Sequence, residues 1–235
     1  MNKIITQLKF NLFLYILCNR LQMGHRFWML PFAVFIWPLL QASMMFMGWK
    51  QGGFELVDVQ NRLMGYPLYL MAIGIGVGLI ANEVEKRTLE VSFTLPGGAA
   101  RIWINKLIAA SFLIIVAEFI LAFCTWIFFT GITSGIIIRV FQGAIFYLVL
   151  AMTAGAFFKN SLIAGIVTCF VLFINSYFTN RSWSPVFNPL TINNLSTGDL
   201  MQLIIRNHFI IVLAIFVMAL LTFLRIEQRE ALLRH

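Results

Sequence analysis

"NEVEKRTLEVSFTLPGGAARIWINK", residues 82–106, carries seven charged residues and a Pro-Gly-Gly break between two long apolar runs. The runs that flank it are far less polar. Of the 235 residues 60% are hydrophobic and 11% charged, and the mean hydropathy is +0.88. A soluble domain carries about a quarter charged residues and about 45–50% apolar ones. The chain therefore reads as an all-α, polytopic membrane protein, a single transmembrane domain over 1–235 in which residues 82–106 are the main polar projection.

A spanning helix needs about 20 predominantly apolar residues. Runs at 27–48, 64–81, 107–130, 136–158, 161–178 and 208–224 meet or approach that length. Gly65-Tyr66-Pro67 supplies a helix start for the second, since proline fits the first turn. Six spans put both termini on one side. With the termini inside, twelve of the seventeen Lys and Arg fall inside: Lys3, Lys9, Arg20, Arg26, Lys86, Arg87, Arg101, Lys106, Lys159, Arg225, Arg229 and Arg234. The five outside are Lys50, Arg62, Arg139, Arg181 and Arg206. Cytoplasmic loops carry the excess of Lys and Arg, so both termini are expected inside. Trp28, Trp49, Trp103 and Trp183 sit near expected span ends, as interfacial anchors do.

The first residues, "MNKIITQLKFNLFLYILC", have the charged start and apolar core of a signal peptide. Lys9 breaks that core, no small-residue cleavage site follows, and Leu17 precedes Cys18 where a lipoprotein site has a small residue. Ile4, Ile5, Leu8, Leu12, Tyr15 and Ile16 share one helical face, so 1–24 is expected as an amphipathic helix in the membrane interface. The net charge of +8 punctuates span ends instead of forming one patch, which argues against nucleic acid. Cys18, Cys124 and Cys169 have no metal or redox spacing and read as small buried hydrophobes.

Enzyme signatures are missing. The chain has no P-loop, no H-E-x-x-H, no G-x-S-x-G and no pair of intramembrane aspartates. No catalytic or metal-ligating residue is expected. Gly74, Gly76 and Gly78 in "AIGIGVGLIA" lie inside an apolar span with no preceding strand, so they read as a close-packing helix seam, or as a face between two subunits. Glu118 in "IIVAEFILAF" stands near the middle of the third span, where an acidic group costs about 2.5–3.5 kcal/mol to insert. Arg139, Gln142 and Asn175 are its candidate partners, and together the four mark a possible substrate path. The outer loop, 179–207, holds two prolines and a Ser-Thr-Gly-Asp start for a short helix from Leu200 to Ile205.

Within 82–106 the helix formers continue the second span outward, Pro96-Gly97-Gly98 stops them, and "AARIWINK" makes a second short helix into the third span. That is a helix–turn–helix elbow. Thr88-Leu89-Glu90, then Leu95-Pro96, Arg101 and finally Lys106 before the next span resemble the cytoplasmic loop of ABC-2-type permeases, the membrane subunits of ABC exporters. Arg87 stands where the family has glycine, and Gly97–Ala100 where it has Val-Ser. The resemblance implies a multi-pass subunit of the bacterial inner membrane that pairs with a second permease. It implies a translocation path between the two, driven by two separate ATPase subunits that carry the ATP and Mg²⁺. It also implies short re-entrant helices in the outer loop and an ATPase-coupling role for Glu83, Glu85, Lys86, Arg87, Thr88, Leu89, Glu90, Leu95, Pro96, Arg101 and Lys106. The rival expectations are a six-span secondary transporter or channel working through Glu118 and Arg139, and a non-transporting assembly subunit.

Overall fold

The computed structural model describes residues 29–49, 54–85, 98–192 and 196–227. The expected interface helix at 1–24 and the elbow residues 86–97 lie outside them. The described residues are helical, with no strand among them. Helix α1 (Met29–Val34) and α2 (Ile36–Phe46) come first; α3 (Leu56–Asp58) runs through a π-helical segment, Val59–Gly65, into α4 (Tyr66–Glu85). Then follow α5 (Gly98–Phe128), α6 (Ser134–Phe158), α7 (Ser161–Ser176) and α8 (Thr197–Glu227).

Among the described residues five helices are long and apolar enough to cross a membrane: Met29–Phe46, Leu56–Ala81, Ile102–Phe128, Ser134–Phe158 and Gly198–Arg225. The expected crossing at 161–178 is a helix of 16 residues. At 1.5 Å per residue it measures about 24 Å against a hydrocarbon core of about 30 Å.

Three element boundaries differ from the sequence expectation. The second span does not start at Gly65-Tyr66-Pro67, because the helix continues back through the π segment. Tyr66 N–H donates to the carbonyl of Asn61, five residues back. In that register Pro67 would have to donate to Arg62, and proline has no N–H. The indole Nε1 of Trp37 donates to the Arg62 carbonyl instead, at 2.7 Å. The "AARIWINK" stretch is no separate helix but the first turns of α5, which runs unbroken from Gly98 to Phe128. Likewise the short helix Leu200–Ile205 and the span 208–224 are one helix of 31 residues. Its start is capped as the sequence suggests: Ser196 Oγ donates to Asp199 Oδ2 at 2.7 Å and accepts from Asp199 N–H at 3.2 Å. Pro38, lacking a donor for the Val34 carbonyl, accounts for the break between α1 and α2, where Phe35 N–H turns to Phe32.

Helices α4 and α6 form the centre of the bundle, with α5, α7 and α8 packed around them. The five-residue joint 129–133 and the two-residue joint 159–160 make α5, α6 and α7 successively antiparallel. One end of the bundle gathers Phe54, Phe129 and the segment 177–192: the Phe54 and Phe129 rings meet edge to face at 5.1 Å, and Asn188 Nδ2 donates to the Val57 carbonyl at 2.9 Å. We call this the cap end. The other, clamp end holds Glu85, Ser161, Phe157 and Arg225, whose guanidinium lies 5.6 Å from the Phe157 ring centre.

Two expectations about single residues are corrected. Trp103 is not an interfacial anchor here but fully buried, whereas Trp49 and Trp183 are exposed. Cys124 is buried but Cys169 is exposed, on the outward face of α7.

Candidate functional site

The π segment delivers Gln60 and Asn61 into the interior, and they are 1% and 8% exposed. Gln60 is a bridge. Its Oε1 accepts from Arg139 Nε at 2.9 Å, while its Nε2 donates to the Phe187 carbonyl at 2.6 Å. One side chain thus joins the π segment, α6 and the cap. A buried amide has two donors and an acceptor to satisfy, and here a charged partner takes the acceptor.

The cap itself is a knot of short polar side chains. Asn188 N–H donates to the Thr179 carbonyl at 2.7 Å, closing the loop on itself. Asn207 of α8 donates through Nδ2 to the carbonyls of Ser182 and Ser184, at 2.9 and 2.8 Å. Arg206 donates to Ser182 Oγ through Nε, at 3.0 Å, and through Nη2. Apart from the 3₁₀ turn Pro189–Thr191, residues 177–192 contain no helix, so the re-entrant helices expected there are absent from the described residues.

The four intramembrane candidates do not converge. Arg139 pairs with Gln60 and forms no ion pair with Glu118. Gln142 is held by α8: its Nε2 donates to the His208 carbonyl at 3.1 Å, and its Oε1 meets His208 Nδ1. Asn175 donates to the Tyr147 hydroxyl at 3.1 Å. Glu118 on α5 is 4% exposed; the Phe141 backbone of α6 lies within hydrogen-bond reach of its carboxyl, while Oε1 has no hydrogen-bond partner. Tyr69 OH, Asn61 Oδ1 and Thr125 Oγ1 are buried and unpartnered in the same way.

Of the expected coupling residues, Lys86, Arg87, Thr88, Leu89, Glu90, Leu95 and Pro96 lie outside the described residues. Glu83 closes the last turn of α4 and Arg101 falls in the first turn of α5. Lys106 sits in α5, partly buried. Glu85 is engaged within the chain: its Oε1 accepts from Ser161 N–H at 2.7 Å and from Ser161 Oγ at 2.8 Å, and Oε2 accepts from the same hydroxyl at 2.9 Å. A carboxylate at a helix N-terminus satisfies a donor that has no partner in the helix. Asn160, the N-cap, accepts from the third N–H of the helix, that of Ile163, at 2.9 Å. The joint before it turns through Lys159 at φ 56°, a left-handed conformation that ends α6.

The three seam glycines separate. A Cβ on Gly76 would run into the Leu148 carbonyl and stand 2.8 Å from the Ala151 Cβ, so α4 and α6 touch backbone to backbone there. Gly74 has open space around it, and Gly78 is partly exposed. The rest of the close contact comes from α6: Gly143 lies against Tyr69, and Gly155 against Ala81. The sequence reading missed these two, along with Gln60, Asn61, Tyr69 and His208. Gln60 and Asn61 fell outside the span that began at residue 64. The tyrosines in apolar runs were the available signal.

Among the described residues no three His, Cys, Asp or Glu come together as a metal site. No family model matches the chain, and no relative was found among curated proteins or solved structures.

Proposed function

We propose that the chain is the membrane-spanning permease subunit of an ABC exporter, working as a pair in a bacterial inner membrane and driven by separate ATPase subunits. The observation that carries this reading is the pattern Thr88-Leu89-Glu90, Leu95-Pro96, Arg101, Lys106, which begins after one long helix and ends in the opening turns of the next. Helix α4 enters the segment at Glu85 and α5 leaves it at Gly98. A displacement of residues 86–97 by a partner therefore reaches the most buried helix of the bundle with no intervening joint. Two rigid helices and a bistable seam are the parts such a transmission needs.

The reading also gives the two ends their sides. The clamp end, with Lys106, Lys159 and Arg225, and with Lys86 and Arg87 next in sequence after Glu85, faces the cytoplasm under the positive-inside rule. Helix α7, short as it is, then completes a sixth crossing with Tyr177 and Phe178, and both termini lie inside. ATP closure of the partner pushes the elbow, and the bundle opens toward the cap end. Charges at Lys86 and Arg87 choose and orient the partner more than they add affinity.

The test is Lys86→Glu with Arg87→Glu. The doubly reversed permease is expected to fold and reach the membrane, yet to lose co-purifying ATPase and transport-coupled ATP hydrolysis. Unchanged co-purification together with unchanged hydrolysis sinks the proposal. A second reading, a secondary transporter, draws on the unpartnered Glu118 and predicts gradient-driven transport by the chain alone.

A further inference from the structure

Glu118 stands ten residues from the cap-end terminus of α5, Phe128, or about 15 Å into a hydrocarbon core of about 30 Å. It is at mid-depth. A carboxyl there must face the interior and be paired or neutralised, because hydrocarbon offers it nothing. Glu118 does face the interior, 4% exposed, but Oε1 has no partner.

What surrounds it follows from register. The Phe54–Phe129 ring contact pins α5 against the start of α3, and the two helices run antiparallel. Eleven residues inward from Phe129 is Glu118; fifteen inward from Phe54, through the wider and shorter-rising π turns, is Tyr69. Both residues are therefore at one level, and Glu118 is within electrostatic reach of Tyr69. The Tyr69 hydroxyl is fully buried and also without a partner. Seven residues back toward the cap, on the same face of α5, Thr125 Oγ1 is a third unpartnered buried oxygen. Asn61 Oδ1, on the π segment that packs against α5, is a fourth. The interior thus holds two levels of oxygen acceptors about 10 Å apart, with a single carboxyl at the deeper one.

Among the described residues no ion pair holds it. Arg139 is within electrostatic reach of Tyr69, but its Nε is bound to Gln60, and Arg62 on the π segment pairs with Asp58 at 3.2 Å. His208 of α8 is taken by Gln142, and Tyr147 of α6 by Asn175. Tyr66 lies one turn from Tyr69 on α4, and α1 and α2 carry no titratable side chain.

We propose that Glu118 and Tyr69 form a buried site for one positive charge, a proton or an alkali cation, reached from the cap end past Thr125 and Asn61. A buried carboxyl with an unpartnered oxygen and no ion pair, beside hydroxyl and amide oxygens that can accept, calls for a ligand of a single positive charge, and its occupancy neutralises the bundle interior. The site is independent of any ATPase partner, so it is tested on the chain alone.

The full chain in lipid nanodiscs is unfolded thermally at constant ionic strength in choline, sodium or potassium chloride, and across a pH series in choline. Expected is a midpoint that moves with sodium or potassium at fixed pH, which identifies an alkali cation, or with pH alone, which identifies a proton. In either case Glu118→Gln abolishes the response, while Glu55→Gln, an exposed carboxyl outside the bundle, keeps it. Tyr69→Phe removes one hydrogen bond to a charged group and weakens apparent affinity about tenfold; it serves also where Glu118→Gln does not fold. A midpoint insensitive to all three, or a response equal to wild type in Glu118→Gln or in Tyr69→Phe, overturns the proposal.

Discussion

Helices α4 and α8 are both apolar, yet the protein uses them in opposite ways. In the most apolar 18 residues of Leu56–Ala81, 72% are buried inside the chain; in Gly198–Arg225, the more apolar of the two, the figure is 17%. Hydrophobicity therefore does not decide which helix is central. In lipid it cannot, because tails are as apolar as leucine and reward neither arrangement. What decides is shape. Helix α4 presents Ala72, Gly76 and Ala81, small residues that let α6 approach at Leu148, Ala151 and Gly155. Helix α8 presents Phe209, Leu213, Phe216 and Leu220, all exposed, and meets the bundle through a narrow face of Ile211, Ile215, Met218 and Phe223 with a few polar contacts.

The comparison breaks most visibly at Gly76. Gly76→Val pushes a side chain into the Leu148 carbonyl, and backbone cannot yield as a flexible side chain does. Overpacking a tight core costs about 1–3 kcal/mol and occasionally more; with backbone as the obstacle, about 3 kcal/mol is expected. Gly74→Val, two residues away, meets nothing within 4 Å and should leave stability unchanged. Denaturant unfolding of both variants in micelles gives the contrast directly. Equal losses at the two positions would show that glycine's effect on the helix, and not the α4–α6 contact, is what matters.

The next effect sits where α4 meets the cap. Gln60→Leu leaves the Arg139 guanidinium without its acceptor and the Phe187 carbonyl without its donor. A hydrogen bond to a charged group is worth about 1.5–3 kcal/mol, so a loss of about 2 kcal/mol is expected. The cap should also loosen, seen as faster proteolysis between residues 177 and 192. A loss in stability with cap proteolysis unchanged would mean that Gln60 supports α6 alone.

How much of this was legible follows from where the information lies. The apolar runs state their own burial in lipid, so the five long helices were visible in the sequence, although three of them begin five to ten residues before the expected start. The capping box at Ser196–Asp199 is local and was visible too. The π segment was not. Pro67 after Gly65 reads as a helix start, and only the Trp37 indole, 25 residues earlier, makes a continuous helix possible. Partner choice among the polar side chains was hidden for the same reason: Arg139 meets Gln60, 79 residues away, and not Glu118. Glu85 was read as a charge offered to a partner, since nothing in residues 82–106 points to Ser161. Glu118, by contrast, was legible as a single residue, because a carboxyl amid twenty apolar side chains needs no context to be conspicuous.

The smallest effect tests α8. Thr153 Oγ1 and Thr222 Oγ1 lie 2.8 Å apart across the α6–α8 contact, and each is also within reach of a carbonyl of its own helix, Val149 or Met218, so one hydroxyl donates across the contact while the other donates to its own helix. Thr222→Val keeps the shape and removes the hydroxyl. Interhelical hydrogen bonds in membranes average about 0.6 kcal/mol, since each group finds another acceptor when parted. Here the intrahelical carbonyl is that acceptor, so a loss of about 0.6 kcal/mol is the expectation. Leu213→Ala, on the exposed face of the same helix, should cost less still in detergent, where its neighbours are detergent tails. Should Leu213→Ala prove the costlier of the two, that face is covered by protein in the assembled state, and α8 is peripheral only in the isolated chain.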